Sequence, residues 1–137
     1  MLNKNFEIFK YFIFLLLIPA IIFSEEPITP VKVMDYNKEK ALLGKRLFYD
    51  NDLSADRTVS CASCHDLNQD GADNKPVSTG IFKRAHNVNT LTVYNVIFNF
   101  RYFWNGRVST LREQVNDSLK NPLEMGSNMD LILKRIE

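Results

Sequence analysis

The chemistry-bearing residues of this chain gather in one five-residue run, Cys61-Ala62-Ser63-Cys64-His65, which holds both cysteines and one of the two histidines. The C-x-x-C-H spacing is that of c-type haem attachment. Two thiols three apart at a helix start reach the vinyl groups on opposite edges of one haem. The adjacent imidazole then projects to the iron as the proximal axial ligand. Its other ring nitrogen needs an acceptor to fix it. Three other chemistries fit the run less well. A thioredoxin-like redox pair needs a preceding strand in a βαβ context, which the sequence does not offer. A zinc site needs two more ligands, and the only other histidine is His86. A disulfide across three residues closes a very small loop and stabilises little. The run therefore predicts one covalent haem c, held by Cys61 and Cys64, with His65 on the iron.

The elements that must position this run read as mostly α. Residues 37–48 carry Ala41, Leu42, Leu43, Leu47 and Phe48 as an apolar stripe opposite Lys and Glu, with Asn37 as N-cap. Residues 49–59 are polar and turn-rich, a loop into the haem motif. A short helix is predicted over 60–67. Residues 68–81, with two Gly and Pro76, are predicted to be irregular. From Asn89 to Phe103 the chain is apolar, β-branched or aromatic. With no partner strands elsewhere, it is expected to form a short helix plus irregular chain packed on the haem. Thr110-x-x-Glu113 is a capping box that opens a helix at Leu111, with Val115 and Leu119 expected on its buried face. Pro122 ends that region. A last helix begins near Asn128 or Met129 and has about two turns before residue 137. It shows no Gly or Asn stop, so the reading frame is expected to end within a domain.

The N-terminus reads differently. Tyr11 to Phe23 is an apolar run of 13 residues broken only by Pro19, behind Lys4 and Lys10. A helix of that length spans roughly 20 Å, short of the ~30 Å hydrocarbon core. Residues 1–24 are therefore expected to be a signal peptide for export to the periplasm, cut after Ser24, and residues 25–137 the mature domain. The chain meets the membrane only if this segment is left uncleaved. No Cys follows the apolar run to carry a lipid anchor. Taking Lys4, Lys10 and Glu7 from the 17 basic and 16 acidic residues leaves 15 of each. A neutral domain gives no electrostatic case for nucleic acid. Apolar residues at 45% and charged ones at 24% exclude wholesale disorder.

Several segments together resemble one family. Leu43-Gly-Lys-Arg-Leu-Phe-Tyr-Asp50, Leu53-Ser54, Val59-Ser-Cys-Ala-Ser-Cys-His65, Thr79-Gly80, Asn89-Thr90 through Asn95, Phe103-Trp-Asn-Gly-Arg107 and Pro122-Leu-Glu-Met125 are similar to the N-terminal haem domain of bacterial di-haem cytochrome c peroxidases, which include the MauG-like proteins. The resemblance covers about residues 38–137. It implies a mostly α, cytochrome c-like haem domain with long irregular loops. It also implies peroxidase activity on hydrogen peroxide, with electrons from a small cytochrome c, and it allows a homodimer.

The resemblance further implies roles for single residues. His65 would be the proximal ligand of the peroxide-reacting haem. Trp104 would assist electron transfer between haems. Glu124 would be the distal acid/base, with Gln114 lining the same pocket. Asn89 matches an asparagine that helps bind calcium. The chain departs from the family at two points. Many members carry a His directly after the Thr-Gly of the long loop, where it occupies the sixth iron site until reductive activation. Ile81 stands there instead, so that site is left to water, to nothing, or to His86. His86 follows Lys83 and Arg84 in a polar loop, where a surface position is the simpler reading. The second departure is the single C-x-x-C-H, where members carry two.

Peroxide cleavage at a haem needs an open iron position, a group that moves a proton between the two oxygens, and an electron source. A carboxylate against an apolar haem face suits proton movement near neutral pH. Glu124 lies between Leu123 and Met125, compatible with such a setting. On spacing alone it is a surface carboxylate in a turn, and Trp104 is core packing. Arg107 could pair with a haem propionate through its fork geometry or be a surface charge. Two other functions compete. One is a mono-haem electron carrier with Met125 or Met129 as sixth ligand, 60 and 64 residues past His65. The other is a truncated, inactive fragment.

Overall fold

The computed structural model describes residues 33–136, together with Tyr11 and Ile13. The expected signal peptide lies, apart from those two residues, outside the described residues. The chain divides into two units, residues 1–35 and 36–137, and every element below belongs to the second. Among the described residues no helix is long and apolar enough to cross a membrane.

Within residues 36–136, four α-helices form where local signals ask for them. Helix α1, Lys38–Phe48, starts at Asn37, whose Oδ1 accepts from the Lys40 backbone N–H at 2.9 Å. Helix α2, Cys61–Cys64, carries the haem motif. Helix α3, Leu111–Lys120, opens on the predicted box: Glu113 N–H donates to Thr110 Oγ1 at 3.2 Å, and Thr110 N–H donates back to Glu113 Oε2 at 3.1 Å. Helix α4, Met129–Ile136, has Asn128 Oδ1 on the Leu131 N–H at 2.9 Å. Short 3₁₀ turns at Asn51–Leu53, Ile81–Lys83 and Val96–Phe98 sit in the connections. The described residues contain no strand, only two isolated bridges, Thr79 to Ala85 and Tyr102 to Val108.

Several sequence expectations are corrected. The haem-motif helix is one turn, not the eight residues of 60–67, because the chain turns at His65. The α1 stripe is only partly used: Leu47 packs inward, while Leu42 and Leu43 are exposed. Val115 is likewise exposed, although Leu119 packs on the core. The stretch from 89 to 103 has no α-helix, and its one ordered turn is 3₁₀.

The last helix is better anchored than its length suggests. Its Ile132 is 4% exposed and packs with Leu53 and Met125 to form the core, flanked by Leu47, Cys61 and Leu119. Arg135 reaches back to the turn before the haem motif. Its Nη1 donates to the carbonyls of Asp52, at 2.9 Å, and Ser54, and its Nη2 to that of Ala55 at 2.9 Å. A guanidinium fork satisfies three carbonyls that no helix pairs. The Ala55 N–H in turn donates to the Met125 carbonyl at 2.8 Å. The core thus sits directly behind α2 and holds its start in place. Ile132→Ala is expected to lower unfolding free energy by about 2–5 kcal/mol. Leu133→Ala, on the exposed side of the same helix, should stay within about 0.5 kcal/mol. Urea midpoints of the two variants check this.

Candidate haem site

Helix α2 puts Cys61 and Cys64 one turn apart, so both thiols leave the same side of the helix. Both are half-buried, and neither forms a disulfide. Burial pushes both thiols up from their ordinary range, Cys64 also under the negative charges of Asp73 and Glu124.

His65 follows at the helix end, half-buried. Its Nδ1 lies 3.3 Å from the Gly71 carbonyl. A carbonyl only accepts, so Nδ1 carries the hydrogen and Nε2 keeps a free lone pair. Burial holds the imidazole below its usual range, against the opposing pull of that carbonyl. The neutral ring is the form that can ligate a metal. The turn that brings Gly71 here is locally encoded. Asp66 accepts from the Asn68 backbone N–H at 2.9 Å and from Gln69 Nε2 at 2.8 Å. Those bonds, led by the Asn68 N–H, hold the Asp66 carboxyl below the usual carboxylate range. Gly71 closes the turn at φ +71°, and a Cβ there would sit 3.0 Å from Thr92 Oγ1 and 3.1 Å from Val93 Cγ2. Only glycine meets both demands without strain.

His65 opens on a cavity of about 630 Å³, within the ~300–1,000 Å³ usual for cofactor sites. Three elements build its walls. One face of α3 contributes Leu111, Gln114 and Ser118, at the i, i+3, i+7 spacing of a helical stripe, and Asn121 continues it. The irregular stretch contributes Val93, Val96 and Tyr102 through Trp104. The 78–89 segment contributes Ser78 and His86 through Asn89. An imidazole with a free Nε2 on the wall, two free thiols on the adjoining helix and a partly open cleft of mixed apolar and polar lining fit a covalently held haem.

Glu124 lies on the cavity wall with its side chain 26% exposed. Asn121 fixes it. The Asn121 Nδ2 donates to Glu124 Oε1 at 2.7 Å, and its Oδ1 accepts from the Leu123 N–H at 3.0 Å. The Asn121 carbonyl accepts from the N–H groups of Glu124 at 3.0 Å and Gly126 at 2.8 Å. One asparagine thus shapes the whole 121–126 turn. Oε2 of Glu124 takes no hydrogen bond among the described residues and is free to exchange a proton.

The surface position read for His86 is not found. Its side chain is 14% exposed, it lines the cavity, and its Nε2 is 3.5 Å from Glu124 Oε1. The polar loop concealed this because the Thr79–Ala85 bridge folds the loop back on itself. The Ile81 N–H donates to the Glu124 carbonyl at 2.9 Å, and the Ile81 side chain is buried. Gly80 makes that approach feasible: a Cβ on it would meet the Leu123 carbonyl oxygen at 2.0 Å.

The other predicted residues divide. Gln114 lines the cavity but spends its Nε2 on Ser118 Oγ at 3.1 Å. Trp104 lines it too. The residue is 59% exposed, and its Nε1 donates to the Asn89 carbonyl at 3.1 Å, so it is not core packing. Arg107 faces the cavity with its guanidinium 3.3 Å from the Phe103 ring centroid and its Nε 3.4 Å from Asp117 Oδ2. Asn89 lines the cavity as well. Among the described residues no three His, Cys, Asp or Glu side chains gather to hold an ion. Met125 is 6% exposed in the core and Met129 is half-exposed, and neither lines the cavity. The ligand role that an electron carrier would give them has no geometric support. Sequence reasoning missed Ser118 and Asn121, though both fall on the helical stripe through Gln114.

The comparisons with known proteins agree with this geometry. Residues 38–137 match the family described as di-haem cytochrome c peroxidase. The cytochrome c peroxidase of Escherichia coli (strain K12) is 40% identical over 114 residues, 82% of this chain and 24% of that protein. The cytochrome c551 peroxidase of Nitrosomonas europaea is 40% identical over 112 residues, 81% of this chain and 34% of that protein. A crystal structure of a MauG-like protein associated with microbial copper homeostasis superposes with a TM-score of 0.70 at 30% identity, over 82% of this chain and 35% of that one. The chain thus spans about a quarter to a third of the length of these relatives.

Proposed function

This chain belongs to the di-haem cytochrome c peroxidase family, and from that premise we propose that it carries the peroxide-reacting haem c of an exported peroxidase. Hydrogen peroxide takes two electrons and two protons and leaves as two waters. The electrons come from a small reduced cytochrome c, and the site lies in the periplasm. One covalent haem belongs to this chain. The observation that carries the reading is one cavity holding both an imidazole with a fixed tautomer, His65, and a carboxylate with one tethered and one free oxygen, Glu124.

Bound there, a haem supplies an iron that accepts peroxide and passes the electrons. The chain's own groups do the rest. Cys61 and Cys64 hold the ring, and His65 offers Nε2 to the metal. Glu124 accepts a proton from one peroxide oxygen at Oε2 and returns it to the other, the oxygen that leaves. Asn121 keeps Oε1 occupied so that Oε2 faces the reacting atoms. Trp104, exposed on one side and on the cavity wall at the other, gives an electron a path from a docked donor. Arg107, steadied by Asp117 and Phe103, presents a cation to a haem carboxylate.

The test is the haem-loaded chain mixed with hydrogen peroxide and a reduced small cytochrome c. Peroxide-dependent oxidation of the donor is expected. The ferric optical spectrum should lack the weak near-red band of a methionine–iron bond, and Met125→Leu and Met129→Leu should leave it unchanged. A near-red band lost in either variant, with no reaction toward peroxide, would instead establish an electron carrier.

A further inference from the structure

His86 stands one residue beyond the Thr79–Ala85 bridge, and its backbone N–H donates to the Ser78 carbonyl at 2.8 Å. The backbone is therefore fixed on both sides of the ring. Nδ1 lies 3.3 Å from the Val88 backbone N. A backbone amide only donates, so Nδ1 is the acceptor and the neutral ring carries its hydrogen on Nε2. That nitrogen is 3.5 Å from Glu124 Oε1, beyond the usual hydrogen-bond range but close enough for electrostatic attraction, and 3.5 Å from Asn121 Nδ2. The same oxygen accepts from Asn121 Nδ2 at 2.7 Å. One hydrogen-bond donor, Asn121, and one nearby imidazole, His86, thus face Oε1 from two elements, the turn after α3 and the 78–89 segment. A carboxylate held at one oxygen and flanked there by a second group is restrained in rotation, which favours one heading for its second oxygen.

The geometry points to His86 as a positioning residue for Glu124, one that fixes Oε2 toward the reacting oxygens through its Nε2–H rather than ligating the iron or facing solvent. This inference rests on the acid/base role proposed for Glu124. It assigns the histidine a task that neither the C-x-x-C-H run nor the Pro-x-Glu-Met segment contains. It also accounts for the close packing of Gly80 and Ile81 against residues 123–124, which sets the distance between the two elements.

Two readouts in the haem-loaded full chain test it. One is the second-order rate with hydrogen peroxide. The other is the association rate of cyanide with the ferric protein, a binding step in which hydrogen cyanide must give up its proton to a nearby base. His86→Leu is expected to slow both by about tenfold, with His86→Ala matching it if the larger side chain disturbs folding. His86→Gln, which keeps an N–H donor, should recover both to within about threefold of the parent. The ferric spectrum should be the same in all three variants. Rates for His86→Leu and His86→Ala within about twofold of the parent would overturn the inference. So would failure of His86→Gln to recover either rate. A spectrum that changes on substitution, with faster peroxide reaction, would make His86 an iron ligand and overturn it too. Glu124→Gln separates the two levels. If it slows neither reaction, the acid/base reading of Glu124 fails; if it slows both while His86→Leu does not, only the role of His86 fails.

Discussion

Glu124→Gln is expected to lower the rate of the haem-loaded chain with hydrogen peroxide by about 10²–10⁴-fold, the usual loss when a general acid/base is removed. The substitution is nearly isosteric. Asn121 Nδ2 can still donate to the side-chain oxygen that replaces Oε1, so the 121–126 turn should survive. What disappears is the free oxygen that takes and returns a proton. Haem content and the ferric spectrum should therefore match the parent, since Cys61, Cys64 and His65 are untouched. Stopped-flow mixing over a range of peroxide concentrations gives the rate directly. A loss smaller than about threefold, in a protein whose parent reacts, would remove Glu124 from the chemistry.

The contrast between Glu124 and its neighbour Met125 shows what sequence could and could not reveal. Both follow Pro122-Leu123 in a turn with no periodicity to read. One faces the cavity and the other the core because Asn121 sets the turn, and Asn121 draws its importance from hydrogen bonds visible only in three dimensions. Where the determinants are local, sequence sufficed. The Asn37 cap, the Thr110–Glu113 box and the one-turn spacing of Cys61 and Cys64 each depend on residues no more than three apart. They appear as expected. The apolar stripes were half right. Periodicity marks which residues share a helix face, but not how much of that face the rest of the chain covers, so Leu42, Leu43 and Val115 remain exposed.

Loops were the least legible part, and the reason is steric. Among the described residues, seven other than glycine take positive φ, including Phe82, Lys83, Asn95 and Phe103. Aromatic and long side chains do not choose that region unaided. A tertiary contact holds Phe82, whose N–H donates to Asp56 Oδ2 at 2.7 Å, while Phe103 sits in a turn closed by the Gly106 N–H on its carbonyl at 3.0 Å. The consequence for function is His86. Counting residues from Lys83 and Arg84 places it on a polar surface. The turn at Phe82 and Lys83, the bridge from Thr79 to Ala85 and the bare backbone of Gly80 carry it into the cavity instead.

Removing both thiols, Cys61→Ala with Cys64→Ala, is expected to abolish acid-stable haem altogether. The parent, expressed with working haem-attachment machinery, should gain the mass of one haem that survives acid–acetone extraction. The structural argument is the geometry of α2. Its single turn sets the thiols at i and i+3, about 5–6 Å apart at Cβ, with the core of Leu53, Met125 and Ile132 fixing the helix from behind. Burial keeps both sulfurs in the thiol form near neutral pH. Thiolate is the species that starts disulfide exchange, so burial disfavours spontaneous oxidation of the pair. Each single variant keeps one sulfur and should retain haem through one covalent bond. His65→Ala tests a different step. Its thiols are intact, so attachment should persist, while the loss of Nε2 alters the ferric spectrum. Intact-mass spectrometry after extraction reads attachment, and the optical spectrum reads ligation. Acid-stable haem in the double variant, or none in the parent, would break the link between this five-residue run and the cavity beside it.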